Sequence, residues 1–423
     1  MNLSLLSTTN RVEVPFIKVQ IGDYTLGAYD KKDSRIVQDG KHYKFTKTTF
    51  PNYVESLSVK KINGALNVYT LTLKYAIRYG DDPNFIERIF SSVSKSRQIK
   101  FTYGDCAVPA FIYKEESAMI TSVISSIDVQ NSCITYVVNA TSNALNLRAQ
   151  KQDFPRYVKR KPSDIIKEYL KDVTSGLSDI FYGMKDFGLV TAKKLIISDD
   201  REVTIERKTG MDILEYINYL VTCMSNESDS GNSLKKSDRY TLVISDEFDA
   251  DLGGPYFKIV KVSSNITSIN SLDTYEIDVG YPNTKNLVTG FRITDDQTYS
   301  ILYNYSQSID SPQYVGRIDD EGNTYYEYSP SISTSNLLFK TTEIDKTWWS
   351  QMTQYPISAE LTVKGLLRPS ILMTYLKVNV LFYGKPHIAT GTYMITQQVD
   401  SLSSSGYKTV LTLKRISQWL VKL

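Results

Sequence analysis

Alternation of apolar and polar positions dominates this chain, and it predicts strands before anything else. The clearest case is VESLSVKKINGALNVYTLTLKYAI. There Tyr69, Leu71, Leu73 and Tyr75 alternate with Val68, Thr70, Thr72 and Lys74. A strand turns successive side chains to opposite faces, so this arm buries one face. Asn63-Gly64 supplies the positive φ of a hairpin turn. Ahead of it, VPFIKVQIGDYTLGAYD predicts two short strands around Gly22-Asp23. RQIKFTYGD, SAMITSVISSIDVQ and CITYVVNATS add three more, the last two turning at Asn131-Ser132. One helix interrupts them. DDPNFIERIFSSVSKS has Asp81 or Asp82 as cap, Pro83 near the first helical position, and an apolar stripe of Phe85, Ile86, Ile89, Phe90 and Val93. Residues 1–152 therefore read as a β-barrel domain carrying one helix.

The period changes over residues 153–228. KPSDIIKEYLKDVTSG predicts a helix capped by Ser163, with Ile165, Ile166, Tyr169, Leu170 and Val173 on one face and a stop at Gly176. TGMDILEYINYLVTCMSN predicts another, begun by Thr209 or Gly210 and directing Met211, Ile213, Leu214, Ile217, Leu220 and Val221 inward. KKLIISDD and REVTIERK are short strands, so this is a small α/β module. Residues 229–305 return to strands as a β-rich connecting segment that partly joins a barrel. Residues 306–350 form an insertion or contact arm, with a hairpin in VGRIDDEGNTYYEY that turns at Glu321-Gly322-Asn323. Residues 351–423 hold ISAELTVKG, YLKVNVLFYG and a long final hairpin, GTYMITQQVDSLSSSGYKTVLTLKRI, that turns through Ser403–Gly406. Gly365 and Gly384 end strands where the exit needs an unusual φ, and Gly406 closes the last turn.

Composition supports a folded chain rich in β structure and subunit contacts. Tyr accounts for 31 of 423 residues, and its apolar ring with a polar tip suits half-buried strands and wet interfaces. The net charge of +3, from 49 basic and 46 acidic residues, gives no broad nucleic-acid footprint. The local basic run RYVKRKP reads as a solvated linker before a helix. Cys106, Cys133 and Cys223 are odd in number and widely spaced, which fits free thiols in a reducing compartment. The N-terminal segment lacks the pattern of a secretory signal, and no apolar run has the roughly 20 residues of a membrane span.

Candidate chemistry is sparse. His42 in GKHYK and His387 in GKPHIATG read as loop residues. No GxSxG, HExxH, GxxxxGK[ST] or GxGxxG occurs. Acidic clusters occur at Asp246, Glu247, Asp249 and Asp251, at Asp295-Asp296, and at Asp319-Asp320-Glu321, and each reads as a turn. Asp249-x-Asp251 before Gly253-Gly254 has Val260 where a calcium loop needs its last carboxylate, so that pattern fails. No catalytic, cofactor or metal residue is assigned, and the chain reads as a structural protein without enzymatic activity. Trp348, Trp349, Trp419, Tyr325 and Tyr326 are the candidate contact residues. Asn63, Gly64, Gly365, Gly384 and Gly406 are the candidate structural turns.

Three features together resemble the baseplate hub family of phage tails and related contractile injection systems. They are the KKINGALNVYTLTLKYAI hairpin with its following helix, the KPSDIIKEYLKDV helix after a basic stretch, and DTYEIDVGYPNTKNLVTGF leading to TVKGLLRP, LKVNVLFYG and the final hairpin. Two departures are the proline displaced to Pro369 and the insertion at 306–349. The resemblance implies a β-rich α+β fold with two tube-protein-like β-barrel domains and an intervening α/β module. It implies a homotrimeric ring that adapts a six-fold tail tube to a three-fold central spike or tail tip. The implied partners are the tail tube protein, the spike or tail-tip protein, a tape-measure protein and other baseplate proteins, with DNA only in transit. The implied location is the virion, after assembly in the host cytoplasm. The alternative is a tail-tip hub that binds cell-wall glycan through Trp348 and Trp349 or degrades peptidoglycan with an acidic loop.

Overall fold

The structure, a computed structural model, is described for residues 15–21, 24–26, 29–30, 36–38, 41–45, 54–76, 98–105, 116–176, 195–197, 202–226, 239–249, 254–262, 273–279, 288–295, 313–318, 324–329, 357–364, 372–387 and 389–418. The helix expected at 82–94, the exit at Gly365, and Trp348, Trp349 and Trp419 lie outside these residues, as does Cys106.

The alternation read from the sequence produces the first β unit. Strands β1 (Pro15–Ile21) and β2 (Tyr24–Leu26) form a hairpin with Ile21 opposite Tyr24. β3 (Tyr29–Asp30), β4 (Ile36–Gln38) and β5 (Lys41–Phe45) make a small separate sheet. His42 lies in β5 opposite Val37, a strand position and not the expected loop. β6 (Val54–Ile62), β7 (Val68–Ala76), β8 (Gln98–Asp105), β9 (Glu116–Asp128) and β10 (Cys133–Ser142) complete the unit. The antiparallel order is β2–β1–β8–β9–β10–β7–β6. The sheet curls around one core that includes Val19, Val59, Tyr69, Leu71, Phe101 and Val138.

A second core belongs to the α/β module. After a 3₁₀ turn at Asn143–Arg148 come β11 (Lys151–Phe154), β12 (Tyr157–Arg160), α1 (Pro162–Gly176), β13 (Leu195–Ile197), β14 (Val203–Ile205), β15 (Lys208–Asp212) and α2 (Ile213–Asn226). β16 (Arg239–Asp249) and β17 (Gly254–Val262) follow. β13 runs parallel to β17, which is antiparallel to β16. Ile165, Ile166, Leu214, Ile217 and Leu220 of the two helices meet Tyr240, Leu242, Ile244, Phe257 and Ile259 of this sheet. Both helix starts differ from expectation. α1 begins at Pro162, whose missing N–H costs nothing at that position, so Ser163 lies inside the helix. α2 is capped by Asp212: its Oδ1 accepts from Glu215 N at 2.8 Å, and Glu215 Oε2 accepts from Asp212 N at 3.1 Å. This reciprocal box satisfies two terminal donors, work that neither Thr209 nor Gly210 does.

The third core is a second barrel-like sheet. β18 (Asp273–Val279), β19 (Val288–Asp295), β20 (Gln313–Ile318), β21 (Thr324–Ser329), β22 (Ile357–Lys364), β23 (Tyr375–Phe382), β24 (Lys385–Pro386), β25 (Gly391–Ser403) and β26 (Gly406–Gln418) complete the described chain. The order is β18–β23–β25–β26–β22–β19, and the outer strands β18 and β19 approach each other. Leu361, Val363, Val378, Tyr393, Leu411 and Leu413 fill the centre. Val243 of β16 joins this core from the module, while its neighbours Leu242 and Ile244 face the module's own core. Both faces of β16 are thereby covered.

β25 couples the two barrels. Its first residues pair with β23, and from Gln397 to Ser403 the same edge pairs with Ile62 to Ser56 of β6. Leu402 and Tyr407, at the tip of the β25–β26 hairpin, are buried in the first core. The long final hairpin has two edges, one on β26 and one on β25. Both are occupied within the chain, β26 by β22 and the end of β25 by β6, so no open ladder is left there.

Among the described residues, no helix is long and apolar enough to cross a membrane.

Candidate functional site

All three cores meet around the β6–β7 turn, where polar groups gather. β6 pairs with β7 only as far as Lys60 opposite Val68, and the connection, residues 63–67, is longer than a two-residue hairpin. Within it, Ala65 N donates to Ile62 O at 3.3 Å, and Gly64 has φ +69°. Asn63-Gly64 thus occupies the middle of the turn, as the sequence indicated. The turn also docks. Gly64 N donates to Leu242 O of β16 at 2.9 Å, and Asn218 Nδ2 of α2 donates to Gly64 O at 3.0 Å. Thr241 Oγ1 donates to Asn63 Oδ1 at 2.7 Å, and Asn63 N donates to Thr396 O of β25 at 3.1 Å. A Cβ on Gly64 would stand 3.2 Å from Asn218 Oδ1. Glycine is required there by φ and by space alike.

Beside the turn lies a cluster of buried ionisable side chains. Lys61 is 2% exposed, and its Nζ lies 2.6 Å from Glu116 Oε1. Tyr103 donates to the same oxygen at 3.1 Å, and Tyr69 reaches Glu116 Oε2 at 2.8 Å. The Tyr69 hydroxyl also lies 3.1 Å from Asp246 Oδ2, which accepts from Asn67 Nδ2 at 2.7 Å. Asp246 Oδ1 accepts from Ser142 Oγ at 2.6 Å. Glu247, equally buried, belongs to the β16 residue whose backbone bridges to Glu116 of β9. On the far side, Asp400 accepts from Thr409 at 2.5 Å, from Tyr407 at 3.2 Å and from Gln398 at 2.6 Å.

Strand parity explains why these groups are inside. Lys61 continues the inward series Leu57, Val59; Asp246 continues Leu242, Ile244; Glu116 precedes Ala118 and Ile120. Each polar residue holds a core position at a strand end, where the apolar cores run out. Burial then shifts the equilibria. Burial pushes the Asp246 carboxyl up to about 6, against the hydrogen bonds from Ser142 and Asn67. Asp400 is likewise raised by burial to about 6, opposed by the Thr409 hydrogen bond and the Lys61 charge. Burial alone would lower Lys61, but Glu116, Glu247 and Asp400 outweigh it and hold the ammonium above its ordinary value. Burial also pushes the Tyr69 phenol well up, so it remains a donor.

The acidic run read as a turn is therefore corrected in part. Asp246 and Glu247 lie inside β16 and are buried, because tertiary partners override the turn preference of Asp. Asp249 ends β16 opposite Gly254, and Asp295 ends β19; Asp251 and Asp319–Glu321 lie outside the described residues. His387 follows β24, with its Nδ1 accepting from Ala389 N at 3.2 Å. Among the described residues, no group of three or more His, Cys, Asp and Glu is arranged to hold a metal. Cys133 and Cys223 are buried and not joined in a disulfide.

The other sequence-derived positions are dispersed. Tyr325 and Tyr326 lie in β21 opposite Arg317 and Gly316, in the hairpin expected there. Tyr383 and Gly384, at φ 49° and 77°, form the centre of the Phe382–Lys385 turn. Two positive φ values are the signature of a primed hairpin turn. Gly406, at φ 131°, stands opposite Ser403 in the last hairpin. Sequence reading missed Lys61, Glu116 and Asp400 and placed Asp246 in a turn, though their strand parity carried the signal.

No protein-family model matches the sequence, and no curated protein matches it. Solved structures do match. The tail protein from Neisseria meningitidis MC58 superposes with a TM-score of 0.51 at 10% identity, covering 95% of this chain and 96% of that one. The 43 kDa tail protein of prophage MuSo2 from Shewanella oneidensis gives 0.52 at 12% identity, covering 95% and 98%. Both likenesses run the length of both chains, so the barrels and the module are shared together. Over nearly its whole length, this chain has the β-rich fold of phage tail proteins.

Proposed function

We propose that the chain is the hub of a phage tail baseplate, a homotrimeric ring that adapts a six-fold tail tube to a three-fold spike or tail tip. The observation that carries this reading is the coupling of two barrels through β25, which pairs with β23 in the second sheet and with β6 in the first. A chain with two barrels held in fixed relation presents two similar elements to a ring, and three chains present six. The fold shared with tail proteins along the full chain supports the same role.

The work of such a hub is geometric. Its barrels must hold their relative position under load, and the docked Asn63-Gly64 turn with the buried cluster supplies that stiffness. Partners would be the tail tube protein on one face, the spike or tail-tip protein on the other, and the tape-measure protein and DNA in the lumen. In this reading the chain belongs to the virion and catalyses no reaction. Electron microscopy of the purified protein tests the proposal. Rings of three-fold symmetry with six barrel-sized densities are expected; particles of any other symmetry, or peptidoglycan cleavage by the pure protein, would overturn it.

A further inference from the structure

Four carboxylates and one ammonium are buried at the meeting point of the three cores. Glu116, Asp246, Glu247 and Asp400 are 0%, 2%, 4% and 0% exposed, and Lys61 is 2% exposed. Among the described residues the cation in direct contact with this group is Lys61, whose Nζ lies 2.6 Å from Glu116 Oε1. Lys61 is the only buried lysine among the described residues. Arg415, the buried arginine, lies six residues along β26 from Thr409, ~20 Å away at strand spacing. Burial disfavours the charged form of a carboxyl, and neighbouring carboxylates add to that.

Hydrogen-bond geometry calls for one proton between two of these acids. The Tyr69 hydroxyl has a single hydrogen but lies within bonding distance of two carboxylate oxygens, Glu116 Oε2 at 2.8 Å and Asp246 Oδ2 at 3.1 Å. With both acids ionised, one of those contacts sets a lone pair against a lone pair. Glu116 already faces the Lys61 ammonium at 2.6 Å, so a proton on Asp246 Oδ2 resolves it: Asp246 donates to Tyr69, and Tyr69 donates to Glu116. Asp400 differs, because its three neighbours, Thr409, Tyr407 and Gln398, are all placed as donors.

The chain Asp246–Tyr69–Glu116 crosses a seam. Tyr69 and Glu116 belong to the first barrel, and Asp246 to the module's sheet. We propose that this chain is a proton-operated clasp: with a proton on it the first barrel and the α/β module are held together, and loss of the proton loosens the seam. Among the described residues, the charged and titratable groups facing it are Lys61 from β6, Tyr69 from β7, Tyr103 from β8, Glu116 from β9, Asp246 and Glu247 from β16, Asp400 from β25 and Tyr407 from β26.

The sign follows from burial. Asp246 holds its proton up to about pH 6 when the seam is closed and to 3.8 when it is open. The closed seam is therefore fully stabilised below pH 3.8 and loses that stabilisation as pH rises to 6. The opening constant should grow ~10-fold per pH unit through this window, roughly a hundredfold in all, and then level off. Hydrogen exchange of the whole protein, corrected for the intrinsic pH dependence of amide exchange, reads this directly. Residues 239–249 and 63–67 should exchange faster at pH 7 than at pH 4.5, while β22 should not change. Asp246→Asn keeps a neutral donor toward Tyr69 and should abolish the difference. Equal corrected protection of the wild type at both pH values would overturn the proposal even if the variant failed to fold, and so would a variant that keeps the wild-type pH dependence.

Discussion

The first barrel meets the rest of the molecule along two seams of different chemistry. Toward the second barrel it offers backbone, with β6 and β25 laddered from Ile62 opposite Gln397 to Ser56 opposite Ser403. Toward the module it offers side chains, with one backbone bridge at Glu116 and Glu247 and the buried ionic cluster around it. A backbone ladder asks little of sequence, since every residue except proline carries the same donor and acceptor. A buried ionic seam asks a great deal, because each member left unpaired costs its full desolvation. The ladder holds the barrels together; the cluster fixes how the module sits on them.

Lys61→Ala should show the largest effect. It strands Glu116 and its acidic neighbours without their cation, a loss of about 3–5 kcal/mol in urea unfolding. A cost under about 1 kcal/mol would make the ionic seam incidental. Asp400→Asn comes next and sharpens the contrast through pH. The wild-type carboxyl, raised to about 6 in the fold, contributes stability below its unfolded value of 3.8 that is lost by pH 6. Between those values the variant should gain on the wild type by up to about 3 kcal/mol. An identical pH profile for both proteins would contradict this.

Gly64→Ala should cost about 2 kcal/mol, from the left-handed φ and the close Asn218 oxygen. Its thermal unfolding should lose stability in the module and first barrel together, since the turn docks on both. The smallest effect belongs to the backbone seam. Ser401, exposed and opposite Ser58, should accept Ala at under about 0.5 kcal/mol in the same urea assay. A larger loss there would mean that the ladder depends on side chains after all.

The contrast also explains what the sequence disclosed. Period-two patterns predicted β7, the β1–β2 hairpin, the β20–β21 hairpin and the β25–β26 hairpin, because a one-sided core imposes alternation locally. Asn63-Gly64 was legible for the same reason, since positive φ selects glycine at short range. Asp212 was not taken as the α2 cap, although Asp212 and Glu215 have the capping-box spacing. β25's service to two sheets is a long-range pairing that no local pattern encodes. Lys61 and Asp246 look like surface residues by type and like core residues by parity, and their partners come from strands far along the chain. Trp348, Trp349 and Trp419 lie outside the described residues, so the contact roles expected of them rest on sequence.

The central claim is that two barrels fixed side by side in one chain form a three-chain ring. Light scattering on the purified protein across concentration tests it most directly. A stable species at three times the 48.1 kDa chain mass is the predicted result, and a monomer at every concentration would contradict it.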